Sequence, residues 1–186
     1  MKKTNKKRNL KGSKTEKHLW EAFAGESQAR NKYTYFASRA KKDGYVSIAK
    51  IFEETAGNEK EHAKLWFKLL NGGKIPATSA NLVAAAAGEH GEWTKMYKRM
   101  ANEARREGFN DIAFLFDGVA KIEKFHEKRY LELLKKVKSK KMFKSGSKQP
   151  WFCQNCGCII ISTQAPEKCP VCSHPKSYFK IYKPEF

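Results

Sequence analysis

The sequence predicts a mainly α protein, a four-helix bundle followed by a small metal-binding β module at the C-terminus. Three observations predict it. Apolar residues recur at alternating steps of four and three along four long stretches, the spacing of helices that face partners. Two of these stretches carry Glu-x-x-His in the middle of the apolar row, as Glu59/His62 and Glu123/His126. Two Cys-x-x-Cys pairs, Cys153/Cys156 and Cys169/Cys172, lie near the end of the chain.

A basic tail occupies residues 1–14, the bundle residues 15–138, a Lys/Ser/Gly linker residues 139–149 and the cysteine module residues 150–186. The first helix runs from Thr15, its expected cap, to about Lys42, with Leu19, Phe23, Glu26, Tyr33, Ala37 and Ala40 on one face. Asp43-Gly44 stops it. The second spans about Val46 to Leu70 and aligns Ile48, Phe52, Thr55, Glu59, His62, Trp66 and Leu69. Asn71-Gly72-Gly73 ends that helix. The following stretch, Lys74 to Ser79, reads as a longer link that lets the chain cross over, as one-crossover bundles do. The third helix, from Ser79 or Ala80 to Glu107, turns Leu82, Ala86, Glu89, Glu92, Met96 and Glu103 inward. Gly88 and Gly91 are either tolerated helix glycines or the mark of a loosened turn beside a site. After Gly108 the fourth helix covers Asn110 to Lys138, aligning Ile112, Phe116, Val119, Glu123, His126, Tyr130 and Leu133.

Carboxylates and imidazoles in an apolar row are out of place, because desolvating an unpaired charge costs several kcal/mol even after relaxation. A cation between the helices resolves this. Glu26 precedes Glu59-x-x-His62 by 33 residues, and Glu92 precedes Glu123-x-x-His126 by 31, with Glu89 an extra inward carboxylate. One lone Glu and one Glu-x-x-His per helix pair is how carboxylate bundles hold two metal ions. The four cysteines, two knuckles separated by twelve residues, suit one tetrahedral ion. A module this small cannot bury enough surface to fold unaided, so the ion is part of its stability. Cys158 reads as a free thiol outside that set. Spacing alone leaves zinc and iron both open there; a redox-active dimetal site in the same chain favours iron.

The formal net charge of +19 gathers in two places. Residues 1–17 hold eight Lys or Arg against Glu16, and residues 135–148 hold seven Lys and no acid. No aromatic pattern accompanies the lysines, so solvated basic segments are preferred to a nucleic-acid surface. No apolar run approaches the roughly 20 residues needed to span a bilayer, and no apolar h-region follows the basic start, so a cytoplasmic location is expected.

Three stretches, Ala22-Phe23-Ala24-Gly25-Glu26-Ser27-Gln28-Ala29-Arg30-Asn31-Lys32-Tyr33, Ala87-Gly88-Glu89-His90-Gly91-Glu92 and Phe125-His126-Glu127-Lys128-Arg129-Tyr130, closely resemble the rubrerythrin family. So does Cys169-Pro170-Val171-Cys172 with Pro175-Lys176 and Phe179 in the rubredoxin-like module. The resemblance implies a ferritin-like di-iron bundle plus a rubredoxin-like Fe(Cys)4 domain. It also implies a peroxidase that reduces hydrogen peroxide to water and protects against oxidative stress. By the same resemblance Glu26, Glu59, His62, Glu89, Glu92, Glu123 and His126 hold two irons, with Glu59 and Glu123 bridging. Glu26 is terminal on one iron and Glu89, with His126, on the other; Glu92 and His62 alternate on one iron, while Tyr33 and Tyr97 bond to ligand carboxylates. His90 is expected to point away, and His18 and His174 to lie on the surface. An external donor, rubredoxin or an NAD(P)H-dependent reductase, is expected to feed the Fe(Cys)4 centre. A homodimer or higher homo-oligomer is expected, with domain exchange left open and no membrane partner. A ferritin-type storage ferroxidase is the competing reading, disfavoured by the appended electron-transfer module.

Overall fold

The computed structural model describes residues 9–183, so most of the basic tail, Met1–Arg8, lies outside the described residues. The chain divides into two compact units, 1–76 and 77–186. The first unit is a helical hairpin of α1 (Lys14–Lys42) and α2 (Val46–Leu70). Ser13, not Thr15, caps α1: its hydroxyl accepts from the Glu16 amide at 3.1 Å, and Glu16 reaches back to the Gly12 amide. The second unit holds α3 (Thr78–Gly91), a π-helical turn (Glu92–Met96), α4 (Tyr97–Arg106) and α5 (Asn110–Lys138). Three short strands follow.

The two hairpins repeat one design, offset by 64 residues. In the first, the Tyr45 amide bonds to the Ala40 carbonyl at 2.8 Å, and Gly44 takes φ +84°, open to glycine without steric cost. In the second, the Phe109 amide bonds to the Ala104 carbonyl at 2.8 Å with Gly108 at φ +86°. The next helix then starts identically, Ala49 on Tyr45 and Ala113 on Phe109, each at 3.0 Å. Every buried helical residue among those described is an alanine; Ala37, Ala40 and Ala49 of the first hairpin match Ala101, Ala104 and Ala113 of the second. Methyl groups at the contact let helix axes come close. The larger apolar side chains of the ligand rows, such as Phe52 and Phe116, are half-buried.

The C-terminal sheet has the order β2-β1-β3, all antiparallel, from β1 (Lys144–Cys153), β2 (Ile159–Gln164) and β3 (Phe179–Ile181). β1 begins at Lys144, inside the Lys/Ser/Gly stretch, where it pairs with Gln164 across a register shift before Gln149 meets Ser162. Trp151, Phe179 and Ala165 form the core with Cys153 and Cys169. The Trp151 indole N–H donates to the Ser162 carbonyl at 3.0 Å, so the largest buried side chain leaves no polar atom unpaired. Among the described residues no helix is long and apolar enough to cross a membrane.

Candidate metal centres

Each hairpin assembles three donors, and the two sets have almost the same geometry. In the first, His62 Nδ1 lies 2.8 Å from Glu59 Oε2 and 3.8 Å from Glu26 Oε2. In the second, His126 Nδ1 lies 2.6 Å from Glu123 Oε2 and 3.7 Å from Glu89 Oε1. The Glu-x-x-His spacing on one helix supplies the short pair, and the neighbouring helix of the hairpin supplies the longer one. Within each triad one ligand atom per residue lies within 4.8 Å of the others.

The structural partner of Glu26 is therefore Glu89, not Glu92. The reason is the π-turn. From Glu26 to Ala37 is eleven residues; from Glu89 to its counterpart Ala101 is twelve. The additional residue is absorbed where the helix widens at Glu92–Met96, directly after Gly91. Without it, the 64-residue offset would put His90 at the position of Glu26. The loosened-turn reading of Gly88 and Gly91 agrees with this turn. Glu92 belongs to neither triad, although its charge is felt by Glu89 and Tyr97.

Electrostatics mark the second triad as short of positive charge. Burial first, then the hydrogen bond to Glu123 and its charge, push the Glu89 carboxyl above its ordinary 4.5. Tyr97 is pushed above 10.0, by burial and then by Glu92, Glu123 and Glu89, so its phenol stays a neutral donor facing three carboxylates. Tyr97 thus sits where a hydrogen-bonding tyrosine is useful, packed on Phe116 with centroids 6.0 Å apart. Tyr33 instead stacks on Phe52 at 6.1 Å and meets Phe36, with no carboxylate contact among the described residues.

One cluster escaped the sequence reading. Glu127 accepts from the Trp93 indole N–H at 2.5 Å and pairs with His90 Nδ1 at 3.0 Å, tying the π-turn to α5. His90 does point away from the triad, as expected, but into this contact. A Glu directly following the ligand His126 was the available signal.

The four cysteines converge. Cys153 Sγ lies 3.7 Å from Cys172 Sγ, and Cys156 Sγ 3.6 Å from Cys169 Sγ. A tetrahedral ion with metal–sulfur bonds of about 2.3 Å demands edges of about 3.8 Å, so the sulfurs fit such an ion. The knuckles are twins. Gly157 and Ser173 amides bond to the Cys153 and Cys169 carbonyls, both at 2.9 Å, and Cys153 and Cys169 amides bond to Cys158 and His174 carbonyls. Gly157 (φ +79°) and Ser173 (φ +58°) take the same left-handed step. His174 is half-buried rather than a free surface residue, packed edge-to-face against Tyr178 with centroids 4.5 Å apart. Its backbone N–H is the first cause holding Cys172 down to about 6, while shared sulfur hydrogen bonds outweigh the Cys158 amide and push Cys156 up to about 12. Cys158 packs against the module core outside the sulfur set, and among the described residues all five cysteines are free thiols.

With the geometry in place, the comparisons are direct. The family model described as Rubrerythrin matches residues 17–134 and again 80–149, and one described as Rubrerythrin, rubredoxin-like domain matches residues 151–180. A rubrerythrin of Porphyromonas gingivalis is 50% identical over 196 positions, covering 100% of this chain and 98% of the relative. A rubrerythrin of Nitratidesulfovibrio vulgaris is 50% identical over 185 positions, covering 94% and 97%. A putative rubrerythrin of Methanocaldococcus jannaschii is 40% identical, covering 90% and 92%.

Proposed function

This chain belongs to the rubrerythrin family, and from that premise we propose that it is a di-iron peroxidase that reduces hydrogen peroxide to water. The cofactor sites of the family, non-haem iron at carboxylate and histidine clusters and one iron at four cysteines, match the three donor sets. The observation that carries the reading is the pair of equivalent Glu, Glu, His triads in a chain that also has a four-sulfur module. A storage ferroxidase has no use for a resident one-electron carrier.

Glu26, Glu59, His62, Glu89, Glu123 and His126 would hold the ions, and Glu59 and Glu123 are the most enclosed carboxylates of their triads. The chemistry iron supplies there is one electron from each of two ferrous ions, which together with two protons convert peroxide to two waters without releasing a radical. Carboxylate oxygens are hard donors that tolerate both charge states of the ion. Glu92, outside both triads, is the carboxylate free to swing in as a ligand or to carry a proton to the leaving oxygen. The Tyr97 phenol, kept protonated by burial and by the charges of Glu92, Glu123 and Glu89, is available as a donor beside them. Cys153, Cys156, Cys169 and Cys172 would hold one iron, which would supply one-electron transfer from an external donor such as rubredoxin or an NAD(P)H-dependent reductase. Four cysteines given to a metal rather than to disulfides suit a reducing compartment such as the cytoplasm.

Anaerobic stopped-flow of the fully reduced protein tests this. Peroxide should oxidise the bundle irons much faster than dioxygen does. A protein that prefers dioxygen and accumulates ferric iron beyond two ions per bundle would be a storage ferroxidase instead.

A further inference from the structure

We propose that the lysines of residues 135–148, with those of the cysteine module, form the docking surface for an acidic one-electron carrier protein. This rests on the reading above, that the four cysteines hold an iron reduced from outside. In the step it serves, reduced carrier and ferric Fe(Cys)4 give oxidised carrier and ferrous Fe(Cys)4. One electron moves; no proton moves and no bond is made or broken.

From Leu133 to Lys183 the chain holds eleven Lys, no Arg and a single acid, Glu167. That acid is taken up by Lys176. None of the other ten lysines has an ion-pair partner among the described residues, and all ten are exposed. In the first hairpin, by contrast, lysines find acids, as Lys41 does Glu53 and Lys64 does Glu61. Positive charge in the last turn of α5 complements the helix dipole. That accounts for Lys135, Lys136 and Lys138 but not for the lysines beyond them.

The sequence reads residues 139–149 as a linker, where solvated charge needs no purpose. In the structure this stretch is fastened to the module. Phe143 packs against the core of Trp151, Cys153, Cys169 and Phe179, and its carbonyl accepts from the Ala165 amide at 3.0 Å. Lys144 pairs with Gln164. The turn before them repeats the two hairpin turns: the Lys141 amide bonds to the Lys136 carbonyl at 2.9 Å, as Tyr45 does to Ala40 and Phe109 to Ala104. Gly44 and Gly108 take the left-handed step in those turns, whereas here Lys140 takes it, at φ +54°. A side chain is strained in that region, so a lysine is held where glycine fits more easily. The sulfur set beside this stretch is open to a partner. Cys156 is exposed, and Val171, between Cys169 and Cys172, is 71% exposed. Lysine charge steers an acidic protein toward the module, and the small apolar surface at the sulfurs suits a brief encounter. Lysine without arginine disfavours phosphate recognition, since the two-pronged grip on phosphate belongs to the guanidinium group.

The test uses the full-length protein and a rubredoxin of net negative charge as the carrier. Calorimetric titration into protein with zinc at the cysteine site reads binding alone, and stopped-flow with iron there reads electron transfer. Affinity and second-order reduction rate should both fall about tenfold or more from about 20 to about 300 mM salt. The combined substitutions Lys140→Gln, Lys141→Gln, Lys144→Gln and Lys148→Gln should slow reduction about tenfold at low salt and flatten the salt dependence. The visible absorption of the Fe(Cys)4 centre should stay unchanged. Lys14→Gln, Lys17→Gln, Lys42→Gln and Lys50→Gln together remove the same charge from α1 and α2 and should leave the rate within about twofold. The salt series needs no variant, so it decides the matter even if the first combination fails to fold. Binding and rates indifferent to salt, or slowed equally by both combinations, would overturn the docking surface and leave the iron reading intact. A DNA duplex that displaces the rubredoxin at physiological salt would assign the lysines to nucleic acid and overturn it too. A reduced module that passes no electron to the peroxide-oxidised bundle would overturn the reading beneath it as well.

Discussion

At the scale of single residues, Glu89 reports what the second triad lacks. In metal-free protein its carboxyl sits above 4.5, raised by burial and then by Glu123, so the folded state keeps a proton that the unfolded state has released. Where the folded state binds more protons, stability falls as pH rises. Metal-free protein should thus lose thermal stability as pH climbs from about 4.5 through the raised value of Glu89. Glu123→Gln removes the partner charge and should flatten that slope, though not abolish it, since burial remains. Chelator-treated protein melted across the acid range checks this; parallel slopes for wild type and variant would refute it. The donor residues were legible in the sequence because a charged pair in an apolar row has few explanations. The correspondence of Glu26 with Glu89 came only from the family resemblance, because Glu92 and Glu89 lie on the same face of an ideal helix and spacing alone does not choose between them.

At the scale of elements, helix ends were readable from Asp43-Gly44, Asn71-Gly72-Gly73 and Gly108, where the left-handed step is needed. The π-turn was only hinted at, since one additional residue changes no composition and little periodicity. It nevertheless decides which side chain reaches the site. Deleting Lys95, an exposed residue within the turn, should restore an ordinary helix and rotate everything upstream by about 100°. His90 would then replace Glu89 in the triad. Far-UV circular dichroism should be nearly unchanged while bundle iron is lost. A deletion variant that still loads two irons would remove the π-turn from the account. The start of β1 at Lys144 was hidden for a different reason. Lys, Ser and Gly carry no alternating pattern, and it is pairing with Gln164 that makes that stretch a strand.

At the scale of the whole molecule, two kinds of metal chemistry are joined in one chain, and the division of labour is testable. Zinc satisfies four thiolates at the same edge lengths but carries no electron. Protein reconstituted with zinc at Cys153, Cys156, Cys169 and Cys172 and iron in the bundle should consume about one equivalent of peroxide per pre-reduced centre, then stop. Steady turnover with an external reductase should fall by orders of magnitude. Undiminished turnover would mean electrons enter the bundle without the module. The sequence expects the third helix to start at Ser79 or Ala80, after the link that begins at Lys74. α3 in fact begins at Thr78, and the three residues before Lys74 are spent on capping α2.

The alanine interior of the hairpins has a consequence in time. A methyl group removes little apolar surface from water, so a hairpin packed on alanines gains little from its own burial. During synthesis the first hairpin ends at Leu70 and the last donor helix at Lys138. At roughly 5–20 residues per second the ribosome needs several seconds to cover that gap. For those seconds the nascent chain presents Glu59 and His62 on a half-formed, sticky surface.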